Sequence, residues 1–429
     1  MKSKKFLFVF LLSALILAAC APSPGSNIVN TPEENTPDME IENTSVPEND
    51  PEEAVEPESP AEPIAPTPTR AANPSAVEDA PRGAQREFST DFSKHSVSYD
   101  EILSGGPPKD GIPSIDNPNF VSVQDADDWI DDVEPVIQVA INDQVKAYPL
   151  QILTWHEIVN DTVGGVPVVV SFCPLCNTAI SFERTVDGQV LDFGTTGRLR
   201  FSNLIMYDRQ TETWWQQATG EAIVGQMTGT QLEFVPAALI SWEEYKRANP
   251  GTLVLSRETG FNRSYGQNPY IGYDDINQSP FLYDGPETPG ELPATARVLA
   301  VEINSDTVAY PFDLLQEVNV VNDKVGEEDI AVFWTPGTAS ALDTNSIAEG
   351  RDVGSAVAYS RLLDDQLLTF SFDGQKIVDQ ETNSTWNIQG QAIAGSLSGE
   401  SLDEVVSINH FWFSWAAFKP ETRIYQADQ

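Results

Sequence analysis

The chain has 429 residues, 40% hydrophobic, 9% aromatic and 21% charged, a composition that can bury a core and excludes a fully disordered or fibrous chain. The formal net charge is −41, from 24 basic and 65 acidic residues; such a chain repels phosphate, which argues against a nucleic-acid partner. Three cysteines are too few for a disulfide-dense scaffold.

Lys2, Lys4 and Lys5 open the chain, the apolar run Phe6 to Leu17 follows, and Leu17-Ala18-Ala19-Cys20 ends it. The run is shorter than the roughly 20 residues needed to span a bilayer, so residues 1–20 are expected to be an export signal. Leu-Ala-Ala-Cys resembles the lipobox of bacterial lipoproteins, which implies that Cys20 carries lipid and ties the protein to the cell membrane on its extracytoplasmic side. Residues 21–82 hold 13 Pro, 14 acidic and two basic residues, with no Phe, Trp or Tyr. Such a segment cannot bury enough surface to offset its chain entropy and is expected to be a disordered tether. Only seven lysines follow the signal, and the anionic surface reads as a solubility device. Residues 83–133 lead into the body.

The body carries internal repetition. Ala147-Tyr148-Pro149 recurs as Ala309-Tyr310-Pro311, and Asn160-Asp161-Thr162-Val163-Gly164 as Asn322-Asp323-Lys324-Val325-Gly326. Asp208 and Trp215 match Asp379 and Trp386, Gly220 to Gly225 match Gly390 to Gly395, and Ser241-Trp242 match Ser414-Trp415. We read two units, 134–256 and 296–429, joined by an aromatic segment, 257–295. Within a unit the pattern is mostly β. Val136 to Ile141 turns at Asn142-Asp143 into Val145 to Tyr148. Pro149 to Val159 has helical spacing. Gly164-Gly165 starts a second hairpin, and Val166 to Phe172 reads as a buried central strand. Ala179 to Arg184 alternates like a strand. Trp242 to Ala248 is a short helix that Asn249-Pro250-Gly251 stops. The expected fold is mainly β with a few short helices, built as two tandem copies of one sheet-rich unit in a pseudo-symmetric body.

Cys173-Pro174-Leu175-Cys176 is the one clear chemical feature of the body, set between two predicted strands. Three readings stand open. Two thiolates separated by two residues can clasp a soft metal, copper(I) or zinc, with His156 as the best further ligand and Met206 a weaker one. The pair can be a dithiol–disulfide couple, or a structural disulfide that pins a turn. Phe172 to Ala179 aligns with Phe333 to Ala339, so the second unit is expected to keep the turn and lack both sulfurs.

Other candidates carry less. Arg209 with Trp215 offers a ligand grip through an exposed indole and a guanidinium; the alternative is a turn salt bridge over a core aromatic. His95 and His410 rank below His156 as ligands. Gly194-Thr195-Thr196-Gly197-Arg198 lacks a phosphate-loop lysine, and Ser202 has no Gly-x-Ser-x-Gly setting. Asn268-Pro269-Tyr270 and Tyr273 form an aromatic loop that either covers a cleft between the units or caps a core. A small molecule or a protein is the expected partner, of unknown identity.

Several strings together resemble domain-of-unknown-function family 3179: Trp155-His156-Glu157-Ile158-Val159-Asn160-Asp161, Ser171-Phe172-Cys173-Pro174-Leu175-Cys176-Asn177-Thr178-Ala179, and Asn203-Leu204-Ile205-Met206-Tyr207-Asp208-Arg209 with Trp215. So do Pro336-Gly337-Thr338-Ala339-Ser340-Ala341-Leu342 and Phe411-Trp412-Phe413-Ser414-Trp415-Ala416. The resemblance covers nearly all of residues 95–427. It implies a bacterial or archaeal protein in an exported or membrane-anchored setting, and it carries no reaction.

Overall fold

The computed structural model describes residues 80–427; the expected signal, Cys20 and the tether up to residue 79 lie outside the described residues. Asn142 and Asp143 take φ of 48° and 62°, the left-handed pair that a two-residue hairpin needs to match strand twist. Pro135–Ile141 and Gln144–Pro149 therefore fold back on each other, Ile141 opposite Gln144. Pro149 leads into the helix Leu150–His156, which buries six of its seven residues. The helix expected through Val159 stops three residues early. Glu157 takes φ 58°, its N–H closes on Leu153 O at 2.7 Å, and the chain reverses into the strand Ile158–Val163. Gly164-Gly165 then turns it into Val166–Cys173. A Cβ at Gly164 would lie 2.2 Å from Ile141 O, so the second hairpin can close against the first only with glycine there.

Three sheets follow from these hairpins. The first runs Ala238–Ser241, Pro135–Ile141, Gln144–Pro149, Leu253–Leu255 and Phe120–Ser122. The second runs Phe234–Val235, Thr178–Glu183, Val166–Cys173 and Ile158–Val163. The third runs Ile102–Ser104, Phe193–Arg200, Asn203–Asp208, Trp214–Gln216 and Ala222–Val224. The lead-in is thus part of the body: Phe88, Phe92, Tyr99 and Ile102 share a core with Tyr207 and Trp214.

Residues 297–424 carry a parallel set of pairings. Arg297–Ile303 pairs with Asp306–Pro311, the helix Phe312–Val318 follows, and Val320–Val325, Glu328–Thr335 and Ser355–Ser360 form a sheet. Asn160 clamps the Phe193 backbone with two hydrogen bonds of 2.8 Å, and Asn322 does the same to Phe370 at 2.8 and 2.9 Å. The register corrects the match proposed for the last helix. Ser241 pairs with Pro135 and Phe411 with Arg297, so Trp412, not Trp415, stands where Trp242 does. The two halves share cores. Val136 and Trp242 pack with Phe333 and Trp386, while Cys173, Cys176 and Met206 pack with Leu342, Phe411 and Phe413. Among the described residues, no helix is long and apolar enough to cross a membrane.

Candidate functional site

The cysteine turn follows from its own residues. Val166–Cys173 is one of the two inner strands of its sheet, paired on both sides. Pro174 fixes φ at the first position of a single 3-10 turn, Pro174–Cys176, where its missing N–H costs nothing. Asn177 ends the turn in the left-handed region at φ 49°, which its short polar side chain tolerates better than most. Thr178 then pairs back to Cys173. The turn brings the two sulfurs together as free thiols. Both point at the carbonyl of Ser202, Cys173 Sγ at 4.0 Å and Cys176 Sγ at 3.4 Å.

Both sulfurs are enclosed, Cys173 at 2% exposure and Cys176 at 0%. Burial, and then the neighbouring Cys176, hold the Cys173 thiol well above its ordinary range, so the protein keeps it protonated at neutral pH. Thr178 donates to Cys176 O at 3.1 Å and meets His410 Nδ1 at 2.7 Å. With the hydroxyl proton spent, Nδ1 is the donor of that second bond, and Nε2 is left a buried acceptor without a partner. Burial lowers this imidazole to about 3, so it is neutral. Beneath the turn, Gln217 Nε2 donates to Ser171 Oγ and Thr178 O, and Asn203 Nδ2 donates to Gln217 Oε1.

The aromatic segment covers the site. Tyr270 and Tyr273 pack on the core that holds both cysteines, and each phenol is pushed up chiefly by burial. Phe201 and Ser202 turn between strands with φ of 52° and 66°, a conformation usually left to Asn or Gly. The turn aims the Ser202 carbonyl at the thiols while its hydroxyl donates to Phe281 O at 2.6 Å. Asp274, 1% exposed, anchors the same segment to Arg297 and Arg351, each at 2.8 Å. Glu157 lies across the strand pair from the cysteine strand. It is 7% exposed, its carbonyl accepts from Phe172 N at 2.8 Å, and its charge acts on Cys173 and Tyr270.

The other sequence candidates sit elsewhere or do other work. His156 is not brought to the sulfurs as a ligand: Nδ1 meets Pro113 O and Nε2 meets Tyr265 OH, both at 2.7 Å. Met206 lies in the cysteine core. Trp215 is not an exposed indole; it is fully buried and donates to Asp208 at 2.9 Å, as Trp386 does to Asp379 at 3.0 Å. Arg209 is one-third exposed and spends its guanidinium on Asp110 and Asp116, so the pair forms no ligand grip. The second half does not keep the turn. Thr335 pairs with Ser355 as Cys173 does with Thr178, and the whole stretch 336–354 lies between. Sequence reasoning passed over Glu157 as a site residue, whose one signal is a glutamate where the second half has Asn319, and ranked His410 low; its partner Thr178 lies 232 residues away, a contact no local pattern shows.

Among the described residues, no group of three His, Cys, Asp or Glu side chains is disposed to hold a metal ion. Four-coordinate zinc needs such a set. Two adjacent thiols can instead lose two electrons and two protons and close a disulfide. No curated protein and no solved structure matches the chain. A family model described as protein of unknown function, DUF3179, matches residues 109–422, and the chain belongs to that family.

Proposed function

We propose that Cys173 and Cys176 form a reversible dithiol–disulfide couple in a lipid-anchored extracytoplasmic protein, and that the two halves of its body are copies of one unit of which only the first carries the chemistry. The observation that supports the reading is the thiol pair itself, both sulfurs turned to the Ser202 carbonyl by one short turn, with no group of three His, Cys, Asp or Glu among the described residues to complete a metal site. Its co-reactant is a disulfide, R–S–S–R. The Cys173 thiolate attacks one sulfur and expels R–S⁻; Cys176 then attacks the mixed disulfide and expels the second. The two thiol protons end on the two leaving groups, giving a Cys173–Cys176 disulfide and two R–SH. Cys173 is the attacking sulfur because it is the less enclosed. The Tyr270–Tyr273 cover lifts for exchange, and lipid on Cys20 keeps the couple outside the cytoplasm, where such oxidants persist.

Full-length protein equilibrated in glutathione buffers and quenched in acid tests this. Both thiols should disappear in one two-electron transition and return on reduction, and Cys176→Ser should stop the exchange at the mixed disulfide. A pair that stays reduced in excess oxidised glutathione overturns the reading. So does stoichiometric uptake of copper(I) or zinc that Cys173→Ala abolishes, which would restore the metal reading with Met206 as a further sulfur ligand.

A further inference from the structure

At the end of the helix Leu150–His156 the backbone asks for one kind of residue and holds another. Glu157 sits at φ 58°, ψ −30°. At the end of the helix Phe312–Val318, Asn319 sits at φ 59°, ψ −29°. The two positions make the same hydrogen bonds: each N–H closes on the carbonyl four residues back at 2.7 Å, and each carbonyl accepts from the neighbouring strand at 2.8 Å. Asparagine suits this left-handed reversal; a longer side chain adds strain without helping the turn. Glu157 adds a second cost, because it is a buried carboxyl and no cation contributes to its environment. Two costs at one position, absent from its counterpart and carried by a residue whose carbonyl is bonded to Phe172, the chain neighbour of Cys173, mark a functional rather than a folding requirement.

We propose that Glu157 is the proton acceptor and donor for the Cys173 thiol, an inference that rests on the dithiol–disulfide couple above. A thiol that burial keeps protonated is no nucleophile until a base takes its proton. In the oxidising direction the Glu157 carboxylate accepts the Cys173 proton, the thiolate attacks the incoming disulfide, and the carboxylic acid gives the proton to the departing R–S⁻. In the reducing direction R–S⁻ opens the disulfide at Cys173 and releases the Cys176 thiolate; the acid returns its proton to the Cys173 sulfur in the second step, as a further R–S⁻ resolves the mixed disulfide. Burial alone moves this carboxyl up to about 8, which suits it to both tasks near neutral pH. The histidines serve less well. His156 is bonded at both ring nitrogens, and His410, whose Nε2 has no partner, is lowered by burial to about 3, too weak a base for a thiol. The titratable groups coupled to Glu157 are Cys173, on its neighbouring strand, and Tyr270, in the aromatic segment.

The test measures oxidation of the reduced full-length protein by oxidised glutathione between pH 6 and pH 10, for the native chain, Glu157→Gln and Glu157→Asn. The native rate should rise through a midpoint near pH 8 as the carboxylate forms. Glu157→Asn supplies the residue that the backbone favours; it should unfold at no lower urea concentration than the native chain, yet react at least tenfold more slowly at pH 8 and lose that midpoint. Glu157→Gln should behave alike in rate. Should Glu157→Gln fail to fold, Glu157→Asn decides alone. A native pH profile in the Asn variant overturns this inference and leaves the couple standing. No exchange by the native chain at any pH overturns both.

Discussion

Two turns that join similarly paired strands differ in length and in content. Between Cys173 and Thr178 lies one 3-10 turn that presents two sulfurs. Between Thr335 and Ser355, paired in the same manner, lies the long loop 336–354. That loop has no sulfur, and it reaches across to the first site. Leu342 joins the cysteine core, Tyr273 N donates to Leu342 O at 3.1 Å, and Asn268 N donates to Asn345 O at 2.8 Å. One half thus holds the two thiols and the other braces the segment that covers them. The lesson is that a loop without the chemistry can still be part of the site.

The largest expected effects test how alike the two halves are. Trp215→Ala and Trp386→Ala each remove a buried indole and its bond to Asp208 or Asp379, and each should cost about 3–5 kcal/mol in urea unfolding. A large loss in one and none in the other would break the comparison. A sharper contrast lies at Asp161 and Asp323, each of which accepts from a tyrosine hydroxyl, at 2.6 and 2.7 Å. Lys146 and Asp161 are both 8% exposed, whereas Arg423, opposite Asp323, is 41% exposed. Asp161→Asn should therefore cost about 3 kcal/mol by leaving a buried ammonium unpaired, and Asp323→Asn about 1 kcal/mol or less.

Asp274→Asn should loosen the cover without touching the thiols. We expect alkylation of Cys173 by iodoacetamide to quicken roughly tenfold, equivalent to about 1.4 kcal/mol of cover stability; an unchanged rate would detach Asp274 from the site. The Asp274 carboxyl, though raised by its burial, is held below its ordinary value on balance by Arg297, Ser340 and Arg351. Its contribution is therefore present above the usual carboxylate range and is lost only as pH falls through the depressed value. The smallest effect concerns Glu404, which burial raises to about 8. A carboxyl raised in the fold favours folding below its unfolded value and loses that advantage as pH rises towards 8. Glu404→Gln should flatten the decline in urea midpoint between pH 5 and pH 8, and an unaltered slope would show that Glu404 is not the group responsible.

Hairpins were legible because their turns are chemical statements. Asn142-Asp143 and Gly164-Gly165 name conformations that few other residues adopt. The helix end was not, because Ile158 continues the apolar spacing and only the backbone at Glu157 shows the reversal. The second turn misled because Pro336-Gly337-Thr338-Ala339 imitates Pro174 to Ala179 in composition, while strand register places Ser355, not Thr338, opposite Thr335. The thiol pair was read from its spacing. Its enclosure by Tyr270, Tyr273, Leu342 and His410 depends on contacts between distant segments, which no local pattern encodes.

The last strand of each half returns to lie parallel to the second strand of its own first hairpin, Val254 beside Ala147 and Ile424 beside Ala309. Parallel neighbours cannot be joined by a tight turn, so everything strung between them forms a loop knotted off at its base. A stretch closed in this way can breathe while its ends stay tied. The sulfur-bearing sheet therefore lies inside a closed loop, with the outer hairpin acting as a drawstring that ties both of its ends.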